Sequence, residues 1–262
     1  MLTVRQPAVA GMFYPADPTV LHQEVRGFLD QVATAGPVPK AIIVPHAGYV
    51  YSGPVAASAY ARLQAANGSI RRVVLLGPSH RVGFNGIAVS GMQAFATPLG
   101  LVPLDYEAIA RIRHLPQVVS LERAHEREHS LEVHLPFLQE VLGEFNLVPL
   151  VVGTAEPQPV GEVLEILWGG PETLLVISSD LSHYHDYETA RRLDAATSRA
   201  IEGFRYEDIV YESACGRNPV NGLLWAARRR DLKVETLDLR NSGDTAGPRD
   251  QVVGYGSYAF SE

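Results

Sequence analysis

The sequence predicts an α/β protein: three α/β/α layers around a largely parallel mixed sheet. Two observations carry this. Residues 40–45 (KAIIVP) and 72–77 (RVVLLG) are continuous apolar, β-branched runs cut short by Pro or Gly, as strands buried on both faces are. Between them, Val55 to Ala66 has the Ala and Leu content of a helix, and a strand, helix, strand order implies parallel strands joined by a crossover. The same alternation continues down the chain, which places helices on both faces of the sheet.

The next segments, Gly86–Ser90 and Phe95–Pro103, break the alternation. They are short, β-like and punctuated by Gly, and predict an inserted hairpin or an antiparallel extension near the crevice. A helix is expected over Leu131–Leu142 with Ser130 as its cap. Strands follow at Val148–Val152, Thr173–Ser178 and Leu232–Leu237, with helices at Val160–Leu167, Tyr187–Ile201 and Asn218–Arg230. The alternating segment Gln251–Phe260 predicts an antiparallel or edge strand. No internal repeat, low-complexity tract or Gly/Ser-rich linker marks a boundary, so one domain over residues 1–262 is expected.

Composition excludes several partners. The 262 residues are 46% hydrophobic and 19% charged, with a formal net charge of −7, so there is enough apolar material for a large core and no basic face for nucleic acid or anionic lipid. The single basic run, Arg228–Arg230, reads as a solvated helix end. There is no run of about 20 apolar residues and no basic-then-apolar leader, so a cytoplasmic chain with no membrane association is expected. One cysteine, Cys215, cannot form an intramolecular disulfide and is left as a buried thiol, a reactive thiol or a ligand.

The chemistry collects at strand ends. Open α/β sheets bind ligands in the crevice beyond the carboxyl ends of their strands. Three apolar runs end there in histidines: His46 in PHAGYVYSG, His80 in LLGPSH and His183 in SSDLSHYH. With Cys215 in SACGRNPVNG they make a donor set suited to zinc or a redox-capable transition metal. His183 is a candidate ligand or general base. Asp180 is a candidate site carboxylate or the N-cap of the following helix. His185 is expected to face solvent. Cys215 precedes a helix expected to start near Pro219, where a thiol's pKa is lowered. Arg217 is a candidate anion binder or the partner of a surface carboxylate.

His125 to His129 satisfies H-E-x-x-H, in which two histidines on one helical face bind zinc. The segment ERAHEREH has no apolar face at helical spacing, and a cap at Ser130 leaves most of the match outside the helix, so a metalloprotease is set aside. Glu128, His129 and His134 are expected to line the crevice and orient ligands or substrate.

Taken together, VAGMFYP at Val9–Pro15, PHAGYVYSG, LLGPSH, EHSLEVHLPFL, SSDLSHY, CGRNPVNG and NSGDT resemble the Memo family, known in prokaryotes as protein B of the AmmeMemoRadiSam system. The resemblance runs in order from about Arg5 to Phe260. It implies a fold similar to the class III extradiol dioxygenases, which open catechols with non-haem iron(II). It also implies His46, His80 and Cys215 as ligands of iron or copper, with His183 near the position of the dioxygenase base and Asp180 in the same motif.

Those dioxygenases use a carboxylate where this chain presents a thiol. Thiolate is softer and favours Cu(I), Zn(II) or a different iron chemistry, and is itself oxidisable. The resemblance therefore implies a metal-dependent redox protein, with iron as the expected cofactor and copper or zinc as alternatives. Two other readings are an adaptor that captures a peptide or small molecule in the same crevice without turnover, and a zinc hydrolase. The system's name implies radical-SAM and AMMECR1-like partners. This chain has no cysteine triad for a four-iron cluster, so any radical chemistry would belong to such a partner.

Overall fold

Each apolar run becomes a strand with no exposed face. The computed structural model describes residues 2–33 and 35–262. In chain order the elements are β1 (Val4–Arg5), α1 (Pro18–Leu29), β2 (Ala41–Val44), α2 (Tyr49–Tyr60), β3 (Arg72–Pro78), β4 (Ile87–Val89), β5 (Ala94–Thr97) and β6 (Gly100–Pro103). They continue with α3 (Tyr106–Ile112), β7 (Val118–Ser120), α4 (Glu122–Glu126), α5 (Leu135–Leu142), β8 (Asn146–Val152), α6 (Pro157–Leu167) and β9 (Thr173–Ser178). The last are β10 (His183–His185), α7 (Tyr187–Glu202), α8 (Arg217–Arg229), β11 (Lys233–Asn241), α9 (Ser242–Thr245) and β12 (Val252–Ser261). Among the described residues no helix is long and apolar enough to cross a membrane.

The main sheet has nine strands in the order β10-β12-β2-β9-β3-β8-β4-β7, with β11 also paired to β12. Its centre, β2-β9-β3-β8, is parallel, and both flanks are antiparallel: β12 against β2, and β4 against β8. β9 therefore lies between β2 and β3, although it comes about 100 residues after β3 in the sequence. The segment expected at 251–260 is antiparallel as predicted, but it is interior, held between β2 and β11. Of the two segments expected as one insertion, β4 joins the main sheet. β5 and β6 pair as a hairpin in a separate three-stranded sheet with β1.

Helices complete an α/β/α arrangement. α2 packs on β2 and β12, and α1 and α5 pack on α2; α8 packs on β3 and β9, and α6 packs on α8. The α6–α8 approach is close because two glycines meet it. A Cβ on Gly161 would sit 2.2 Å from Trp225, and one on Gly222 would sit 2.3 Å from Val160.

The helix expected at 131–142 is shorter at its start, with a 3-10 turn over Glu132–His134 before α5. Ser130 does not cap it, because its hydroxyl donates to Pro78 O at 2.8 Å. Asp180 is likewise not a helix cap: the N-cap of α7 is Asp186, which accepts from Thr189 N at 3.0 Å.

Candidate metal centre

Sheet order brings the strand-end residues together. The chain leaves β2 at Pro45–His46, β9 at Ser178–Asp180 and β3 at Ser79–His80, and because β9 is central, Asp180 lies between the two histidine loops. Cys215 reaches the same place from the residue before Gly216, the N-cap of α8. Gly216 is required by space. A Cβ there would lie 2.5 Å from Ser178 O and 2.6 Å from Ser179 Cβ, and its amide donates to Ser179 Oγ at 3.0 Å. Cys215 Sγ consequently stands 3.3 Å from His46 Nε2, and one donor atom each from His46, His80 and Cys215 lie within 4.8 Å of one another.

Both imidazoles have a defined tautomer. The Ser178 hydroxyl donates its one proton to Ser130 O at 2.6 Å, so toward His46 Nδ1, also 2.6 Å away, it accepts. His46 therefore carries its proton on Nδ1, and Nε2 presents a lone pair toward the thiol. His80 Nδ1 donates to Glu128 Oε1 at 2.8 Å, and the His80 amide donates to Glu128 Oε2 at 2.6 Å. Burial works to raise the Glu128 pKa. The donors from His80 and Ser130 outweigh it and hold the carboxyl at about 2, so it accepts as a full anion and leaves His80 Nε2 free.

Burial keeps His46 and Cys215 neutral without a metal. Burial, then the neighbouring imidazoles, push His46 well below the ordinary histidine range. Burial, with the Asp180 carboxylate next, pushes the Cys215 thiol up. That reverses the lowering expected of a thiol beside a helix N-terminus: desolvation and a nearby anion outweigh the partial charge of one helix end. Asp180 accepts from the His46 amide at 2.7 Å, yet burial still pushes it up to about 6.

The cluster forms part of the wall of a cavity of about 780 Å3. His183 lines it, and so does His185, which is half-buried rather than solvent-facing. Between them Tyr184 has φ +61° at a register shift in β10, and the residue is 72% exposed at the cavity. His129 also lines the cavity, stacked on His80 at a centroid distance of 4.5 Å and covered by Phe13 at 4.8 Å.

Of the residues expected to line the crevice or bind substrate, Glu128, His134 and Arg217 are not on the cavity wall, Glu128 being buried behind His80. His134 is buried away from the cavity wall, with Nδ1 2.9 Å from Tyr60 Oη, and Arg217 lies over the Tyr211 ring at 5.8 Å. The H-E-x-x-H match does not form one zinc-binding helix, although a short helix, α4, does include its first two residues. His125 ends inside α4 with Nε2 on Ala88 O, and His129 lies beyond the helix in the cavity.

The support behind Glu128 has no signature in the sequence. The buried Arg5 donates to Glu128 O and to His125 O, each at 2.7 Å, and pairs with Glu132 Oε2 at 2.7 Å. Glu132 in turn accepts from Ala8 N, Val9 N and Tyr14 Oη, fastening the N-terminal segment that carries Phe13. A buried Arg and Glu more than 120 residues apart have no local signature. Ser178 was legible as a strand end, but its link to Ser130 O was not.

Fold and cluster define the class: an α/β/α protein with a mixed sheet and an imidazole–thiol donor set beyond the carboxyl ends of its parallel strands. A family model described as Memo-like protein matches residues 5–259. A MEMO1 family protein of Aquifex aeolicus is 39% identical over 97% of this chain and 98% of its own length. One from Sulfolobus acidocaldarius is 34% identical over 99% of this chain and 100% of its own. The chain belongs to the Memo family. Among solved structures, an uncharacterized protein JW3007 from Escherichia coli K12 aligns over 85% of this chain and 99% of that one, with a TM-score of 0.49 and 13% identity.

Proposed function

We propose that the chain is a metal-dependent redox protein that holds iron or copper through His46 Nε2, His80 Nε2 and Cys215 Sγ. The observation that carries this reading is the pair of locked tautomers: Ser178 and Glu128 each occupy an Nδ1 and leave the Nε2 lone pair unprotonated on two rings grouped with the thiol, that of His46 3.3 Å from Sγ. Orienting the far nitrogen of a histidine is how proteins prepare imidazole ligands. Two imidazoles and a sulfur match the preferences of iron, copper and zinc.

When bound, the ion supplies one-electron chemistry and polarises an oxygen-donor ligand. Of this chain's own groups, Cys215 gives up its proton on ligation, and the raised thiol pKa makes that uptake steeply pH-dependent. Asp180 holds the His46 backbone in place through its amide. His183, on the cavity wall, is positioned to exchange a proton with a molecule bound there.

The test is metal stoichiometry after anaerobic purification, with electron paramagnetic resonance as the redox readout. About one iron or copper per chain is expected in the parent, with at least tenfold weaker retention in His80→Ala and Cys215→Ser. Equal metal content in parent and variants overturns the ligand set. Stoichiometric zinc with no redox signal overturns the redox assignment and leaves the site.

The cavity also suits a second reading, capture of a peptide or small molecule without turnover. It is favoured by Tyr184 and Tyr211, 72% and 74% exposed on the cavity wall. Ligand binding that is equally tight with and without metal marks that reading.

A further inference from the structure

A second groove, of about 1000 Å3, adjoins the histidine–cysteine cavity, and Phe13 lines both. Its wall carries Arg81, the residue after the ligand His80, and Arg123 and Arg127 from α4 and the turn after it. All three are exposed, and none has an ion-pair partner among the described residues, whereas the groove's fourth arginine, Arg5, is spent on Glu132. The groove's two carboxylates are Glu122, which accepts from Ser90 Oγ and Gly91 N, each at 2.8 Å, and Glu126, so three unpaired guanidiniums face two carboxylates. In a chain of net charge −7, this is a local excess of positive charge beside the site.

Guanidinium groups bind carboxylate and phosphate oxygens through paired, charge-assisted hydrogen bonds. We propose that the groove binds the anionic group, carboxylate or phosphate, of an elongated molecule whose other end lies past Phe13 in the histidine–cysteine cavity. The statement about the far end rests on the proposed function; the anion site does not. The substrate class is accordingly a small acid or phosphate monoester with an apolar body able to lie against Phe13.

The test follows amide NMR spectra of the full chain, chelator-treated and zinc-reconstituted, titrated with inorganic phosphate, phenyl phosphate and benzoate. Saturable binding is expected in both metal states, with shifts at Met12, Arg81 and Arg127. The Arg81→Gln/Arg127→Gln variant should weaken it at least tenfold, and because both side chains are exposed its thermal midpoint should match the parent. Tighter binding of phenyl phosphate than of benzoate assigns a phosphate; the reverse assigns a carboxylate. No saturable binding, or affinity unchanged in the double variant, overturns the anion site whatever the metal content. If phenyl phosphate binds no more tightly than inorganic phosphate and leaves Gly48 and His129 unshifted, the spanning molecule is overturned. Metal dependence of those cavity shifts reports separately on the proposed metal centre.

Discussion

Replacing Glu128 by Gln exchanges a carboxylate with two acceptor oxygens for an amide with one, at a position where both oxygens are in use. Oε2 accepts from the His80 amide at 2.6 Å, and Oε1 accepts from His80 Nδ1 at 2.8 Å and from the amides of His129 and Ser130 at 3.0 Å each. Whichever way the new side chain turns, its NH2 meets at least one N–H and leaves that donor unpaired. Hydrogen bonds to charged groups contribute about 1.5–3 kcal/mol each, so a loss of about 2–4 kcal/mol in folding stability is expected.

The pH dependence gives an independent measure. A carboxyl held at about 2 instead of 4.5 contributes stability that is present above pH 4.5 and lost as pH falls toward 2, about 3 kcal/mol in all. Urea unfolding of parent and Glu128→Gln at pH 7 and at pH 3 is the assay. The gap between them should narrow at the lower pH, and metal affinity at pH 7 should fall by about 10–100-fold as His80 loses its orientation. A variant within about 0.5 kcal/mol of the parent at pH 7, with unchanged metal affinity, refutes the assignment of Glu128 as the anionic anchor of His80.

Three further outcomes are expected. Ser178→Ala strands the Nδ1 proton of His46 and the carbonyl of Ser130 in the interior. It should cost about 1–3 kcal/mol and weaken metal binding measured by chelator competition; unchanged binding would sink the proposed tautomer lock. Gly216→Ala forces a methyl group against Ser178 O and displaces Cys215. A lower thermal midpoint, by about 1–3 kcal/mol equivalent, and reduced metal occupancy are expected, and full occupancy would show that the close approach is dispensable. His125 and His134 are buried neutral, with burial depressing them to about 4 and about 3. The unfolded chain takes up their protons below pH 6.5, so stability falls as pH drops from 6.5 toward 4. That amounts to about 2 kcal/mol per histidine at pH 5, and a flat urea midpoint between pH 7 and pH 5 would refute it.

The sequence made the central strands and their terminal histidines readable because Pro45, Gly77 and Pro78 interrupt apolar runs beside His46 and His80. Strand order was not readable. Nothing local in Thr173–Ser178 says that it inserts between β2 and β3, since pairing is decided by long-range packing, yet that insertion sets Ser178 behind His46 and Asp180 between the histidines. The lowered pKa expected of Cys215 failed for a related reason. A helix N-terminus is a local cue, whereas desolvation and Asp180 arise from the assembled cavity. Asp180 and Ser130 both resembled caps because Asp and Ser favour helix starts. In the fold their acceptors and donors serve neighbouring loops instead.

The supports of the two imidazoles converge on one short segment. Glu128 holds His80 directly, and Ser130 holds His46 through Ser178, so residues 128–130 fix both rings. That segment is itself held from outside the main sheet. Arg5, on β1 of the three-stranded sheet, donates to Glu128 O and pairs with Glu132, and Glu132 also ties down residues 8–14. A buried Arg–Glu pair contributes little net stability against apolar alternatives, but removing one partner leaves an uncompensated charge. Its position gives this pair a function that net stability does not measure: it keeps the N-terminal segment, with Phe13 over His129, in register with the loop that aims both imidazoles. An ion bound by His46, His80 and Cys215 would therefore couple the folding of residues 5–14 to the main sheet, because the orientation of both imidazoles passes through contacts that segment completes.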